Sequence, residues 1–282
     1  MTEESGDAFQ LIEKIDRVMA GKIHMESLCQ DVFETLDDVN ASRQAIEAVQ
    51  SKISDEILAR LFAIANSAYL GSLKHGKSYN FYDVVNRLGL SRTKTLIITL
   101  ASYYQRRYDP DIETIFAKSY ATSIMAQILA SQAGFRDEAI KKAELSGLFL
   151  EIGKKTLILY KKIYADAEER IDDDFIEAYH PYLGEMIVRR YCLPDYLKTV
   201  ILARTVIMEE NQISLAGIVR MAYDMVQSSF LKYHNRFVVK CQTPRPATDV
   251  TRTLEAIITE RFKAVSLEKY LHIIRIPRIY EI

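Results

Sequence analysis

The chain of 282 residues is long enough for one large domain or two smaller ones, and its 49% hydrophobic and 27% charged residues are typical of a soluble globular protein. The formal net charge of −1 argues against a dominant electrostatic attraction for nucleic acid but leaves room for a local basic patch. No apolar run reaches the ~20 residues that span a bilayer, and the acidic N-terminus lacks a signal-peptide profile, so we expect a cytoplasmic protein without a membrane segment.

Apolar residues repeat at helical spacing along nearly the whole chain, as in the series Leu28, Val32 and Leu36. Glycine and proline are scarce, at 10 and 6 residues, and strict alternation of apolar and polar residues is almost absent. Such a pattern is typical of amphipathic helices that pack on one another. We therefore predict an all-α fold, a multi-helix bundle of two packed helical blocks.

Breaks in the helical pattern divide the chain into four parts. Proline and aspartate at Tyr108–Asp111 end the first block, and the Pro-rich run Thr243–Ala247 is the clearest linker. The predicted parts are an N-terminal segment (1–19), a first helical block (20–108), a second helical block (109–235), and a linker, last helix and tail (236–282).

Three helix ends can be predicted from local chemistry. Asp111 can begin the helix that follows the break, and Gly134 can end that helix in a left-handed conformation. The acidic run before Phe175 lacks the glycine and spacing of a calcium loop, so we expect Asp174 or a neighbour to cap the next helix.

A run of small residues in the first block predicts close helix packing. It consists of Ala65, Asn66, Ser67 and Ala68, with Gly71 able to supply the left-handed residue that ends the helix. The amide of Asn66 lies within an apolar stripe and should satisfy nearby backbone groups. We predict a structural role for these five residues.

Phe81–Ala101 could be interpreted as a helix-turn-helix with Ser91 as the cap of its second helix. Arg92 and Lys94 could contact bases, but Leu96, Ile97, Ile98 and Leu100 follow them and favour burial. We therefore predict that this helix belongs to the core and that DNA recognition here is not its role.

Cysteine and histidine provide no catalytic or metal-ligating pattern. Cys29, Cys192 and Cys241 are far apart and show no spacing typical of zinc, so we expect buried, reduced thiols. Glycine-rich phosphate loops and hydrolase or metalloprotease motifs are absent from the sequence. We predict no bound metal and no cofactor.

Three segments together resemble the HDOD family, a degenerate branch of the HD superfamily in bacterial signalling. They are Leu61–Gly71, Val84–Leu90, and Gly147–Lys154 with the later His180–Gly184 and Leu193-Pro194. The resemblance covers residues 20 to 235. It implies that the second block is HD-domain-like, and that Gly153 belongs to the structural part of the signature.

The resemblance also indicates where the ligands of a catalytic HD protein would lie. The first histidine falls on Lys118, the His-Asp pair on Leu150 and Glu151, a further histidine near Arg204, and the final aspartate on Tyr223, one residue before Asp224. Glu151 alone keeps an oxygen ligand, whereas Lys118 and Arg204 bring positive charge. We therefore predict that the chain is not an enzyme.

His180 could be a lone acid or base, but it has no partner in the sequence pattern. We expect it near a helix start, with Pro181 in the first helical turn. We also expect Lys118, Glu151 and Arg204 to form an ion-pair cluster. These residues and His180 could line a groove for a small ligand.

The resemblance implies a non-catalytic regulatory or scaffold module in bacterial signal transduction. Its partners would be signalling proteins, such as a kinase, a response regulator or a cyclic-dinucleotide enzyme, with a small bound signal as a further element. A nucleic-acid-binding regulator is the alternative, based on the basic residues Lys232, Arg236, Lys240 and Arg245. A metal-dependent phosphohydrolase is the weaker alternative.

Overall fold

A computed structural model of the chain describes residues 3–20, 30–66, 80–104, 109–166, 169–203, 208–209, 212–227 and 247–273. Over these residues the backbone is almost entirely helical, and the predicted all-α fold is confirmed. The two strands found there, β1 (Met208–Glu209) and β2 (Gln212–Ile213), are two residues long and pair antiparallel.

Thirteen α-helices and two 3₁₀ helices lie within the described residues. The first six α-helices are α1 (Glu3–Ala20), α2 (Gln30–Asp37), α3 (Arg43–Val49), α4 (Asp55–Ala65), α5 (Phe81–Leu88) and α6 (Leu90–Tyr104). The others are α7 (Pro110–Gln132), α8 (Asp137–Phe149), α9 (Ile152–Ile163), α10 (Asp173–Arg190), α11 (Asp195–Leu202), α12 (Leu215–Gln227) and α13 (Ala247–Ala264). The 3₁₀ helices span Gln50–Lys52 and Glu268–Ile273.

The chain divides into two compact units, each built from separate stretches of sequence. The first unit comprises Met1–Phe62, Ser78–Ile115 and Phe149–Leu202, and the second comprises Ala63–Lys77, Phe116–Leu148 and Ala203–Ile282. These units group spatial neighbours, whereas the predicted parts are continuous segments of sequence. The division at residues 19, 108 and 235 stays a prediction.

The core of the first unit lies between α9, α10 and the helices around them. Helix α10 packs on α9, α11 and α1, while α6 packs on α2 and α5. Phe81, Phe149 and Tyr160 are among the largest side chains buried there. Full burial of a phenylalanine side chain contributes roughly 1.5–3 kcal/mol.

The helix that could be interpreted as a DNA-recognition helix is α6, and it belongs to the core as predicted. Leu96, Ile97 and Ile98 are buried, and the ammonium group of Lys94 donates to both carboxylate oxygens of Asp37 at 2.8 Å. The prediction of Ser91 as the cap is wrong, because α6 already begins at Leu90.

The start of α7 differs from the sequence prediction by two residues. Asp109, not Asp111, caps the helix, because its Oδ1 accepts from the backbone N–H groups of Asp111 (3.0 Å) and Ile112 (3.4 Å). Pro110 then occupies the first helical position, where its missing N–H costs nothing. The predicted end of α7 is confirmed, since Gly134 has a φ of +77° just after the last helical turn.

The cap of α10 is Asp172, whose Oδ1 accepts from the backbone N–H of Phe175 at 2.8 Å. This agrees with the prediction that Asp174 or a neighbour begins the helix. After α10 the thiol of Cys192 is exposed, so the expectation that it is buried is wrong. Cys29 and Cys241 lie outside the described residues.

The described residues of the second unit have their own core. Ile124, Ala126 and Ala130 of α7 are buried there, as are Ile218 of α12 and Phe262 of α13. The ring of Tyr120 lies 5.5 Å from that of Phe262. None of the described helices of either unit is long and apolar enough to cross a bilayer.

Candidate functional site

The degenerate signature lies at the junction of two helices. Helix α8 ends at Phe149, Leu150 and Glu151 form the turn, and α9 begins at Ile152. Leu150 is 7% exposed and Glu151 is 2% exposed. The segment therefore places one apolar side chain and one carboxylate, both buried, at the predicted position of the His-Asp pair.

A lysine neutralises the carboxylate of the signature. Nζ of Lys154 lies 3.8 Å from Oε1 of Glu151, one helical turn earlier, and also donates to Oε1 of Glu177 in α10. At such a distance two opposite unit charges attract by about 4 kcal/mol near a protein surface. Lys154 thus connects the signature to α10 and places a positive charge beside the carboxylate of Glu151.

His180 approaches the same group of charges from α10. Its Nε2 lies 3.9 Å from the second carboxylate oxygen of Glu177, and its side chain is largely buried. Together, Glu151, Lys154, Glu177 and His180 form what we call the signature cluster. Each carboxylate of this cluster has a cationic or protonatable neighbour.

The predicted position of His180 near a helix start is wrong. Helix α10 begins at Asp173, so His180 lies in its middle and Pro181 is inside the helix. Proline at the first helical turn is the common case, but here the cap at Asp172 starts the helix eight residues before His180. Inside the helix Pro181 has no N–H to donate to the carbonyl of Glu177.

Gly153 allows α9 to lie directly against the backbone of α10. A Cβ atom at Gly153 would lie 1.9 Å from the carbonyl oxygen of His180 and 2.7 Å from the backbone nitrogen of Gly184. Distances under 3.0 Å are essentially never found for a real Cβ. Glycine at this position is therefore what brings the signature and the middle of α10 together.

Lys155, beside the signature cluster, was not identified as unusual from the sequence. Its side chain is completely buried, and this burial lowers the pKa of its ammonium group to about 7. A signal was available, since Lys155 is three residues after Ile152 and four before Leu159, both buried on the same helix.

The other predicted positions of the vestigial metal site lie in the second unit or outside the described residues. Nζ of Lys118 in α7 donates to Oε1 of Gln227 in α12 at 2.9 Å. Tyr223 is buried in α12, with the guanidinium of Arg220 5.0 Å from the centre of its ring and 3.2 Å from Oδ1 of Asp224. Arg204 lies outside the described residues.

The predicted cluster of Lys118, Glu151 and Arg204, and the groove that these residues and His180 could line, stay predictions.

The structural motif of the first block is described only in part. Ala65 is buried at the end of α4 and Asn66 follows it, but Ser67, Ala68 and Gly71 are not among the described residues. The basic residues 232–245 are likewise outside them.

A buried polar group in the second unit was missed by sequence reasoning. The guanidinium of Arg261 in α13 donates to Glu144 Oε1 of α8 at 3.0 Å and to Gln127 Oε1 of α7 at 2.9 Å. Burial raises the pKa of Glu144, although Arg261 acts in the opposite direction. The signal was the apolar stripe Ile258, Phe262 and Val265, which places Arg261 at the buried side of its helix.

The described residues do not fit the metal centre of a catalytic HD protein. Leu150 has no donor atom, and Glu151 already has the ammonium group of Lys154 beside it. Among the residues that the structure describes, no group of three or more His, Cys, Asp or Glu could hold a metal ion. The predicted absence of a metal stays a prediction.

The fold resembles that of HD-like phosphohydrolases and HDOD proteins. The structure resembles the crystal structure of a "putative metal-dependent phosphohydrolase" from Shewanella amazonensis SB2B, with a TM-score of 0.59, 14% identity, and coverage of 92% of this chain and 99% of that chain. At this identity the similarity concerns the fold alone. A similarity with a TM-score of 0.45 links the chain to an "HDOD domain protein with unknown function" from Geobacter sulfurreducens, at 16% identity over 93% of this chain and 92% of that one.

The chain belongs to the HDOD domain family, whose model matches residues 24–206. The resemblance inferred from the three sequence segments is thereby confirmed. The matched region contains the complete signature cluster and ends before α12 and α13. A comparison with curated proteins gives no match.

Proposed function

We propose that this HDOD protein is a non-catalytic regulatory module of bacterial signal transduction that acts by contacting other signalling proteins. These would be a kinase, a response regulator or a cyclic-dinucleotide enzyme, and a small bound signal would control the contact. The observation that supports this function is the ion pair of Lys154 with Glu151 at the signature. It uses the carboxylate of a former metal site for a purely internal interaction.

Electrostatics argue against hydrolysis through a metal at this position. A divalent cation needs several oxygen or nitrogen ligands in place of its water shell. Here the cation would meet the apolar side chain of Leu150 and the ammonium group of Lys154. Two like unit charges 4 Å apart repel by about 4 kcal/mol near a protein surface. The poor fit of Leu150 and Lys154 to a metal site supports a binding role.

The nucleic-acid alternative has less support. Helix α6, which could be interpreted as a recognition helix, has its apolar residues in the core, and its Lys94 pairs with Asp37. The remaining basic residues, 232–245, are outside the described residues. DNA binding that weakens steeply with salt and is reduced in Arg236→Ala and Lys240→Ala would favour this alternative over the proposed function.

An affinity purification of the tagged, full-length protein from its native cells, with nuclease treatment and an unrelated bait as control, tests the partner role. We expect the same signalling proteins to be recovered by mass spectrometry with and without nuclease. Loss of every specific partner on nuclease treatment would contradict the proposal.

A hydrolysis assay tests the absence of catalysis. The purified protein is incubated with a cyclic dinucleotide and with a bis-aryl phosphodiester in the presence of Mg²⁺ or Mn²⁺. We expect no metal-dependent cleavage and no difference between the wild type and Glu151→Ala. Metal-dependent cleavage that disappears in Glu151→Ala would instead support a phosphohydrolase.

A further inference from the structure

Four aromatic side chains of the first unit form one continuous surface, which we call the aromatic face: Phe9 of α1 with Phe175, Tyr179 and Tyr182 of α10. The ring of Phe9 lies edge-on to Tyr179 at 5.7 Å and to Tyr182 at 5.3 Å. Within α10, the ring of Tyr179 lies 4.8 Å from that of Phe175 and 6.2 Å from that of Tyr182. These edge-to-face and tilted contacts hold the rings of the two helices in a fixed arrangement.

Two of the four rings of the aromatic face are exposed, and those of Phe175 and Tyr179 are half-buried. Phe9 is 39% exposed and Tyr182 is 42% exposed, and both belong to the small set of large hydrophobic residues that are exposed within the described part of the chain. Single exposed apolar residues are ordinary, but rings in mutual contact across two helices form a patch. Exposed patches of rigid aromatic side chains are typical of contact surfaces.

The two helix segments that carry the aromatic face are rich in acidic residues, and Lys14, which follows Glu13, pairs with Glu169 outside these segments. The segments Glu3–Glu13 of α1 and Asp173–Val188 of α10 contain four acidic residues each and no lysine or arginine. Glu13, one turn after Phe9, and Asp174, beside Phe175, are exposed. Two other carboxylates are neutralised from outside these segments, Glu177 by Lys154 and Glu185 by Lys198 at 3.2 Å.

We propose that the aromatic face binds a cationic segment of a partner protein, one that presents arginine or lysine together with apolar side chains. This inference rests on the proposed function and adds the chemistry of the partner. Guanidinium and ammonium groups are attracted to the faces of Tyr and Phe rings, and their charge complements the acidic border. The same border repels the phosphates of nucleic acids and anionic lipids.

The test uses full-length protein and a fluorescent 18-residue amphipathic peptide of leucine and arginine as the probe. Two matched peptides carry glutamine or glutamate at every arginine position. We expect saturable binding of the arginine peptide by fluorescence anisotropy, at least tenfold weaker binding of the glutamine peptide, and none of the glutamate peptide. Equal binding of the arginine and glutamine peptides would overturn the inference.

Variants connect the binding to the aromatic face. The double variant Phe9→Ala, Tyr182→Ala should weaken binding of the arginine peptide at least tenfold, whereas Tyr182→Phe keeps the ring and should bind like the wild type. Val39→Ala is the control, since Val39 is 84% exposed and is not part of the aromatic face. Unchanged affinity in the double variant overturns the inference.

A second pair of substitutions covers the case in which loss of two rings disturbs α1. Glu13→Lys with Asp174→Lys changes only exposed charges, and circular dichroism verifies that the helices are kept. We expect at least tenfold weaker binding of the arginine peptide. Affinity that does not depend on these charges contradicts the acidic complementarity on which the inference is based.

Two further measurements separate this inference from the proposed function. Sedimentation shows whether a second copy is the occupant: a dimer that dissociates in Tyr182→Ala, without peptide binding, overturns the inference. An affinity purification in which Phe9→Ala, Tyr182→Ala retains all partners of the wild type also overturns it, but leaves the proposed function intact. Absence of partners for the wild type contradicts the proposed function itself.

Discussion

Single residues at the junction of α9 and α10 determine how the signature is held. The backbone of Gly153 lies against the carbonyl of His180, and Lys154 pairs with carboxylates of both helices. In a catalytic HD protein this region would orient metal ligands. Here the same region has become a packed and charge-neutralised junction, and its residues are expected to affect stability more than chemistry.

Gly153→Ala should destabilise the protein by about 3 kcal/mol or more, because the added methyl group would collide with backbone atoms that cannot move away locally. Gly184→Ala is the matched control in the facing helix, since its nearest neighbour is a side-chain methyl group of Ile201 at 3.1 Å. Urea denaturation measures both free energies of unfolding. Equal losses in the two variants would show that α9 and α10 separate easily.

Lys155→Met should stabilise the protein at pH 7 and change its pH dependence. The pKa of Lys155 falls from 10.5 to about 7 on folding, so between these values the unfolded chain binds the extra proton. The wild type should therefore gain stability as the pH rises from 7 towards 10.5. The advantage of the methionine variant, up to about 5 kcal/mol at pH 7, should shrink over the same range.

Denaturation of Lys155→Met and wild type at pH 7, 8 and 9 tests this prediction, with Lys161→Met as the exposed control on the same helix. The contribution of other titrating groups cancels in the difference between variant and wild type. A difference that is constant with pH would mean that Lys155 stays charged in the folded protein.

At the scale of elements, the sequence was sufficient wherever apolar periodicity and a local cap agreed. The end of α7 at Gly134 and a last helix after the Pro-rich linker followed directly from these signals, and apolar spacing alone indicated the burial of α6. For α10 the local signals conflicted, because the acidic run predicted a cap at Asp174 or a neighbour, close to the true cap Asp172, whereas Pro181 favoured a start near His180. Local chemistry there allows several starts, and packing selects one.

Asp172→Ala should lower the free energy of unfolding by about 1 kcal/mol, because the backbone N–H of Phe175 loses its acceptor. Asp173→Ala is the matched control: its carboxylate is exposed in the first turn and should contribute only a few tenths of a kcal/mol through the helix dipole. Thermal denaturation of both variants distinguishes them. A larger loss in Asp173→Ala would move the start of α10 by one residue.

At the scale of the whole chain, the family signature accounts for residues 24–206, while the structure extends beyond them. The sequence predicted which metal ligands are missing, because the residue type at each aligned position decides whether a side chain can bind a metal. The sequence did not indicate that Lys118 pairs with Gln227, 109 residues away, or that Arg261 pairs with Glu144, 117 residues away. Contacts over such separations depend on the fold and carry no local pattern.

Arg261→Ala should destabilise the second unit by about 3–5 kcal/mol, because it leaves Glu144 buried without its counter-charge. The double variant Arg261→Met, Glu144→Met removes both charges and should recover most of this loss.

Burial already raises the pKa of Glu144, and loss of Arg261 raises it further. The single variant Arg261→Ala should therefore lose less stability at pH 5 than at pH 8. Denaturation at both pH values tests this. A small, pH-independent loss would mean that α13 is only loosely attached to α7 and α8, and that the region outside the family signature is dispensable for the fold of this unit.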